Sequence, residues 1–140
     1  QYYMNELRKH ITQTNKYEKV MFLGDSMGAA AALRFSELAD YVLAFTPQID
    51  IRNYEAITRV DFTAECRERF QNDLVNAVLE KSKATFEIHY GEGCDEDVRQ
   101  IGCLTKSQEG EEGTEINNKI ELVGHDYDDH VLSLLLRDLG

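Results

Sequence analysis

Apolar residues recur every four positions at the start of the chain, at Tyr3, Leu7 and Ile11, with charged residues between them. That period predicts an amphipathic helix ending near Asn15. Lys19 to Leu23 breaks the rhythm with a continuous apolar run, which predicts a short strand covered on both faces, as in a helix-flanked parallel sheet. Residues 27–38, rich in alanine, predict a helix that can approach the sheet closely, and Tyr41 to Phe45 predict a second buried strand stopped by Pro47. Residues 50–61 space Ile51, Tyr54, Ile57 and Val60 by three and read as a loop with one helical turn. From Thr63 to Lys81 the residues Phe70, Leu74, Val75, Val78 and Leu79 share one face, which predicts a long helix. A third strand follows over Ala84 to Tyr90, ended by Gly91, and a short helix over Glu96 to Leu104. The Gly-, Glu- and Asn-rich stretch KSQEGEEGTEINNK reads as a solvated loop. A fourth strand, Lys119 to Val123, stops at Gly124, and Asp129 to Leu139 predict a closing helix.

Alternating helices and strands argue a single α/β domain over residues 1–140, three-layered, with a mainly parallel sheet between helices and right-handed crossovers. The length is that of one domain, and no apolar run approaches the roughly 20 residues of a membrane span. The first residues carry no signal-peptide pattern, and the chain does not begin with Met, so a fragment of a longer protein is expected. Twenty-six acids against fifteen bases give a net charge of −11, which excludes a nucleic-acid-binding surface. Cys66, Cys94 and Cys103 form no metal-binding or disulfide spacing, which fits a reducing cytoplasmic setting.

The candidate chemistry begins at Gly24-Asp25-Ser26-Met27-Gly28, a G-x-S-x-G run between a predicted strand and a predicted helix. A sharp strand-to-helix turn would lift Ser26 into a strained conformation, and both glycines are expected to make room for the crossing backbone. Ser26 would then sit at a helix N-terminus, with the Met27 N–H as an oxyanion donor. A phosphate-gripping glycine turn with Ser26 as helix cap is the plainer reading of the same residues. A serine nucleophile needs a histidine base, and the histidine a carboxylate that fixes its tautomer. Carboxylates follow the third strand in Glu92, Asp95, Glu96 and Asp97; histidines follow the fourth in His125 and His130. All lie at carboxyl ends of strands, where open α/β sheets gather ligands. His89 reads as a packed strand residue and His10 as exposed; Asp25 is the variable position of the run. Asp126, Asp128 and Asp129 read as solvated caps in preference to a cation site, and Cys94 and Cys103 as packing residues.

These residues resemble the α/β-hydrolase superfamily in its nucleophile elbow, its acid loop ending D-x-x-V, and its histidine before the last helix. The stretch from Gly24 to Ile51 is similar to hydrolase-like domains of bacterial surface-polysaccharide proteins. The resemblance implies Ser26 as nucleophile, Asp95, three residues before Val98, as acid, and His130 as base. It covers the family's C-terminal half and implies that the N-terminal strands, with the loop giving the second oxyanion donor, are missing. That donor's loss costs on the order of 3 kcal/mol of transition-state stabilisation. The expectation is a serine hydrolase acting on a small-molecule carboxylic ester or thioester, with no cofactor and no metal. The alternative is a catalytically silent hydrolase-like module for binding or assembly. The first strand would present an open edge, a place for self-association or a partner chain.

Overall fold

A computed structural model describes residues 2–12, 17–52, 63–105, 119–128 and 130. Four strands, β1 (Met21–Asp25), β2 (Tyr41–Phe45), β3 (Thr85–Gly91) and β4 (Ile120–His125), form one parallel sheet in the order β1-β2-β3-β4. Helices α1 (Tyr2–Thr12), α2 (Met27–Arg34), α3 (Ala64–Asn76) and α4 (Asp95–Thr105) alternate with them. The fold is therefore α/β, a parallel sheet flanked by helices, as the pattern implies. No helix among the described residues is long and apolar enough to cross a membrane.

One sheet face makes the core. Val42, Ala44, Phe86 and Ile88 are buried there against Ala29, Ala30 and Leu33 of α2, Leu74 and Val75 of α3, and Ile101 and Leu104 of α4. The opposite face carries Met21, Leu23, Tyr41, Leu43, Glu87 and His89 in register. Met21 and Leu23 are 59% and 50% exposed, so the expectation that β1 is covered on both faces is not met. Among the described residues it takes the edge of the sheet, paired with β2 alone. The closing helix expected over Asp129 to Leu139, apart from His130, lies outside the described residues, as do most of the 50–61 segment and residues 106–118.

Several boundaries move. β4 runs on through Gly124 to His125, paired with Tyr90 and Gly91 of β3, where the pattern would stop it at Gly124. β1 starts two residues later than its apolar run, and Val20 just before it is bonded to Asp40, the residue before β2: its N–H donates to Asp40 Oδ2 (2.8 Å), and its carbonyl accepts from Asp40 N (2.8 Å). The strand instead runs on through Gly24 and Asp25, paired with Ala44 and Phe45. α2 stops at Arg34 and gives way to a 3-10 turn, Ser36–Leu38. α3, capped by the Thr63 hydroxyl on Cys66 N–H (3.2 Å), widens into a π turn over Ala77–Lys81. α1 forms where expected but buries none of its residues.

The irregular segment after β2 is buried, and its backbone is satisfied by one side chain. Gln100 Oε1 accepts from the N–H groups of Ile49 and Asp50 (2.6 Å each), while its amide nitrogen donates to Asp50 O (3.0 Å) and Glu96 Oε1 (2.6 Å). Asp50, also buried, takes hydrogen bonds from Arg52 and Arg99, and the Arg52 bond holds its carboxyl below the ordinary aspartate range. A buried donor without a partner costs about 1–3 kcal/mol. Gln100→Ala strands two, and urea unfolding is expected to show a loss of roughly 2–4 kcal/mol.

Candidate active site

The turn from β1 into α2 is strained where the motif places it. Ser26 has φ 53° and ψ −115°, a backbone region that favours glycine and costs a serine about 1–3 kcal/mol. Two backbone bonds hold it there: Ser26 N–H donates to Phe45 O (2.9 Å), and Ser26 O accepts from Ala30 N–H (3.1 Å). Its hydroxyl caps no helix N–H, so the plainer reading of Ser26 as a side-chain cap is not what the structure shows. Half-buried Ser26 stands at the head of α2 beside exposed Met27.

The two glycines are not equivalent, contrary to the expectation that both clear the crossing backbone. A Cβ on Gly24 would overlap the Gly28 carbonyl and the Ala29 nitrogen, whereas a Cβ on Gly28 would meet open space. Gly24 is needed for close approach of strand to helix; Gly28 supplies the backbone approached.

His130 is half-buried, and its Nδ1 lies 2.6 Å from Oδ1 of Asp97, which is 2% exposed. The other Asp97 oxygen accepts from Gly91 N–H at the end of β3 (3.1 Å). The carboxylate facing the histidine is thus Asp97 and not Asp95. Asp95 is exposed at the first position of α4 and lines a groove with Tyr90, Val98, Arg99 and Leu122. The physical reason is helical: α4 begins at Asp95, so its third residue, Asp97, turns back toward the sheet and the next, Val98, turns out, 46% exposed. The loops carrying the pair are in close contact, since a Cβ on Gly93 would meet the Tyr127 carbonyl.

His130 Nε2 is buried with no hydrogen-bond partner among the described residues. The Asp97 bond, with the charges of Asp97, Asp25 and Glu96, raises the His130 pKa above the ordinary histidine value, against the opposing effect of burial. Asp25 senses His130 in return. Burial raises its pKa, and the hydrogen bond donated by Thr46 Oγ1 (3.1 Å) and the His130 charge pull it back. Asp25 is therefore more than a variable position. Thr46 is a second non-glycine residue at positive φ (44°), its N–H donating to His89 O (2.7 Å).

His125, the rival base, is committed elsewhere: its Nε2 lies 2.8 Å from His89 Nδ1. His89, expected only to pack, bonds through Nε2 to Glu87 (2.7 Å) and stacks on Phe45. Asp97 stood among the four candidate acids behind Asp95, and His89 was expected only to pack; the signal for Asp97 is the start of α4, which sets which acid of Asp95-Glu96-Asp97 faces inward. Among the described residues no cluster of three His, Cys, Asp or Glu side chains is placed to hold a metal ion.

No protein-family model matches the sequence, and no curated protein does. Solved structures match in fold. The capsule O-acetyltransferase of Neisseria meningitidis serogroup A, in complex with caged gadolinium, is similar with a TM-score of 0.64 and 16% identity over 98% of this chain and 61% of that one. A histidine-to-alanine variant of that enzyme, in complex with CoA, gives 0.61 and 15% over 91% and 56%. MGS-MChE2, an α/β hydrolase enzyme from the metagenome of lagoon sediments of Mar Chica, Morocco, gives 0.51 and 13% over 99% and 68%. The chain thus spans about three fifths of the acetyltransferase's length. At these identities the likeness defines the class of fold alone, an α/β hydrolase-like topology.

The unequal glycines give a test of the elbow. Gly24→Ala is expected to lower stability by about 3 kcal/mol or more through overpacking, and Gly28→Ala to leave it unchanged or raise it by up to about 1 kcal/mol through helix propensity. Paired urea titrations measure both.

Proposed function

We propose that this chain carries the catalytic centre of a serine acyl-transfer enzyme acting on a small carboxylic ester or thioester. Ser26 is the nucleophile, His130 the base and Asp97 the residue that orients it, with the Met27 N–H as an oxyanion donor. The observation that carries this reading is the His130 imidazole, bonded to buried Asp97 through Nδ1 and left with a bare, buried Nε2. A carboxylate on Nδ1 fixes the tautomer in which Nε2 accepts a proton. The base is matched by a serine held strained at the head of a helix on the same strand-end rim.

In the first step Ser26 Oγ attacks the acyl carbonyl carbon while its proton passes to His130 Nε2. The carbonyl electron pair moves onto oxygen, where the Met27 N–H and the N-terminus of α2 hold the charge. Collapse expels the alcohol or thiol, which leaves with the proton from His130, and acyl-Ser26 remains. Water, giving a proton to His130 Nε2, then bonds the acyl carbon; the bond to Ser26 Oγ breaks, Oγ takes the proton back from His130, and the acid leaves. The same intermediate would pass its acyl group to an alcohol, the reaction class named by the O-acetyltransferase neighbours. Hydrolysis is the simpler outcome and the one we adopt.

A fluorophosphonate probe with peptide mass spectrometry tests the centre. Labelling at Ser26, abolished in Ser26→Ala, is expected; a folded protein that resists the probe would favour a silent module. Asp97→Asn is expected to slow labelling by about four orders of magnitude, and Asp95→Asn to change it by no more than about twofold. Steady-state release from p-nitrophenyl acetate, with and without an added alcohol, separates hydrolysis from transfer by the products formed.

The pH dependence follows from the same pair. His130 must be neutral to accept a proton, and its pKa is raised chiefly by the Asp97 bond. The labelling rate is therefore expected to climb with pH through a midpoint above the ordinary histidine value, and in Asp97→Asn the midpoint falls. The ion pair's share of stability has the opposite course: it is full below the unfolded histidine pKa and disappears as pH rises through the folded one. Rate and unfolding profiles over the same pH range check both signs.

A further inference from the structure

Four rings form a row along the rim. Phe45 stacks on His89 (centroids 4.5 Å apart, planes at 18°), His89 on His125 (5.1 Å, 22°) and His125 on Tyr127 (6.0 Å, 22°). The row starts at the elbow, because Phe45 O accepts from Ser26 N–H. It ends in the loop bearing His130, three residues past Tyr127. Within that loop His125 O accepts from both Glu92 N–H and Tyr127 N–H (2.8 Å each).

A directed hydrogen-bond chain runs through the two imidazoles. Tyr41 Oη donates to Glu87 Oε2, and the other Glu87 oxygen lies 2.7 Å from His89 Nε2. These two bonds hold the Glu87 carboxyl below the ordinary range, so it is an acceptor and His89 must carry its proton on Nε2. With that one proton on His89, Nδ1 is the acceptor in the 2.8 Å contact and His125 Nε2–H the donor. Among the described residues, Glu121 on β4 beside Glu87, Asp25 on β1 beside Phe45, and Asp126 and Asp128 on either side of Tyr127 are the further charged groups next to the row in register or sequence.

We propose that the His89–His125 pair, its tautomers set by Glu87 and Tyr41, is a positioning device that holds the 125–130 loop so that His130 stays bonded to Asp97. The effect on catalysis rests on the serine reading above; the effect on His130 does not. Two imidazoles are chosen over two apolar rings because stacking alone leaves a ring free to slide, whereas an N–H···N bond fixes its height and rotation. His125→Phe keeps a ring and removes the donor. His125→Gln keeps a donor where Nε2–H stood and removes the ring.

Imidazole nitrogen–proton NMR on the intact wild-type chain is expected to find both His89 and His125 protonated on Nε2 and His89 bare at Nδ1. It should also show the His130 Nδ1 proton at low field from its short bond to Asp97. In His125→Phe that resonance should disappear and Ser26 labelling slow roughly ten- to a hundredfold; in His125→Gln both should survive. His89 protonated on Nδ1 in the wild type, or an unchanged His130 resonance in His125→Phe, would overturn the proposal. The wild-type tautomers decide it even where a variant does not fold. A low-field His130 proton without Ser26 labelling would sink the serine reading alone.

Discussion

Close contact between Gly24 and the Gly28 carbonyl is the constraint on which the rim depends. Without a Cβ at residue 24, the last turn of β1 and the first turn of α2 come near enough for the chain to reverse within one residue. That residue, Ser26, absorbs the strain at φ 53°. Its N–H then reaches across to Phe45 O, continuing the β1–β2 pairing past the last strand residue. Strain at one position is tolerable only when neighbouring bonds over-determine it, and here the sheet ladder on one side and the first helical bond on the other do so.

Parallel pairing turns this local turn into a shared edge. Since β1 to β4 run the same way in simple sequence order, the residues following each strand fall on one rim: Ser26, Thr46, residues 92–94 leading into α4, and residues 126–128. Two more backbone bonds tie these exits together, Thr46 N–H to His89 O and Glu92 N–H to His125 O. Gly91 contributes twice, by donating to Asp97 and by leaving space for it, because a Cβ there would crowd Asp97 Oδ2 and the Tyr127 carbonyl. The Asp97–His130 bond therefore rests on a backbone frame reaching back to the elbow, and not on two side chains meeting in water.

The sequence pattern carried the topology well, and for identifiable reasons. β2 and β3 read correctly because apolar residues cluster tightly between Asp40 and Pro47 and again before Gly91, with β-branched and aromatic side chains in the core face. The failures are where hydrogen bonding overrides hydropathy. Val20 is apolar but lies outside β1, its N–H bonded to the Asp40 side chain; the helix the pattern carries on to Leu38 ends at Arg34, and Ser36–Leu38 closes as a 3-10 turn. In the site, the G-x-S-x-G run marked the strand-to-helix turn at Ser26, but the resemblance put Asp95 where the structure has Asp97 beside His130, because which acid faces inward is a rotation of about 100° per residue about a helix whose first residue the sequence leaves open. The His89–His125 bond was illegible for a different reason: cross-strand register, His89 beside Val123 and Gly91 beside His125, is a property of the sheet and not of either segment.

Charge around His130 is lopsided, and the imbalance has a chemical use in the serine reading. Asp97 bonds the imidazole directly, while Asp25 and Glu96 act on it through space, all in the direction that favours the protonated ring. Three carboxylates near one imidazole would repel one another in an open site. Here Thr46 turns Asp25 aside by donating to one of its oxygens, and Arg99 engages Glu96 through two nitrogens (2.6 and 3.2 Å). Only Asp97 is left to bond His130, so the ring keeps one orientation while the more distant charges add to its proton affinity without competing for its N–H. An imidazolium formed when Ser26 gives up its proton would thus be stabilised where it stands, with no side chain needing to move. Thr46, a β-branched residue at positive φ, thus ties the carboxylate at the end of β1 to the exit of β2 through its hydroxyl.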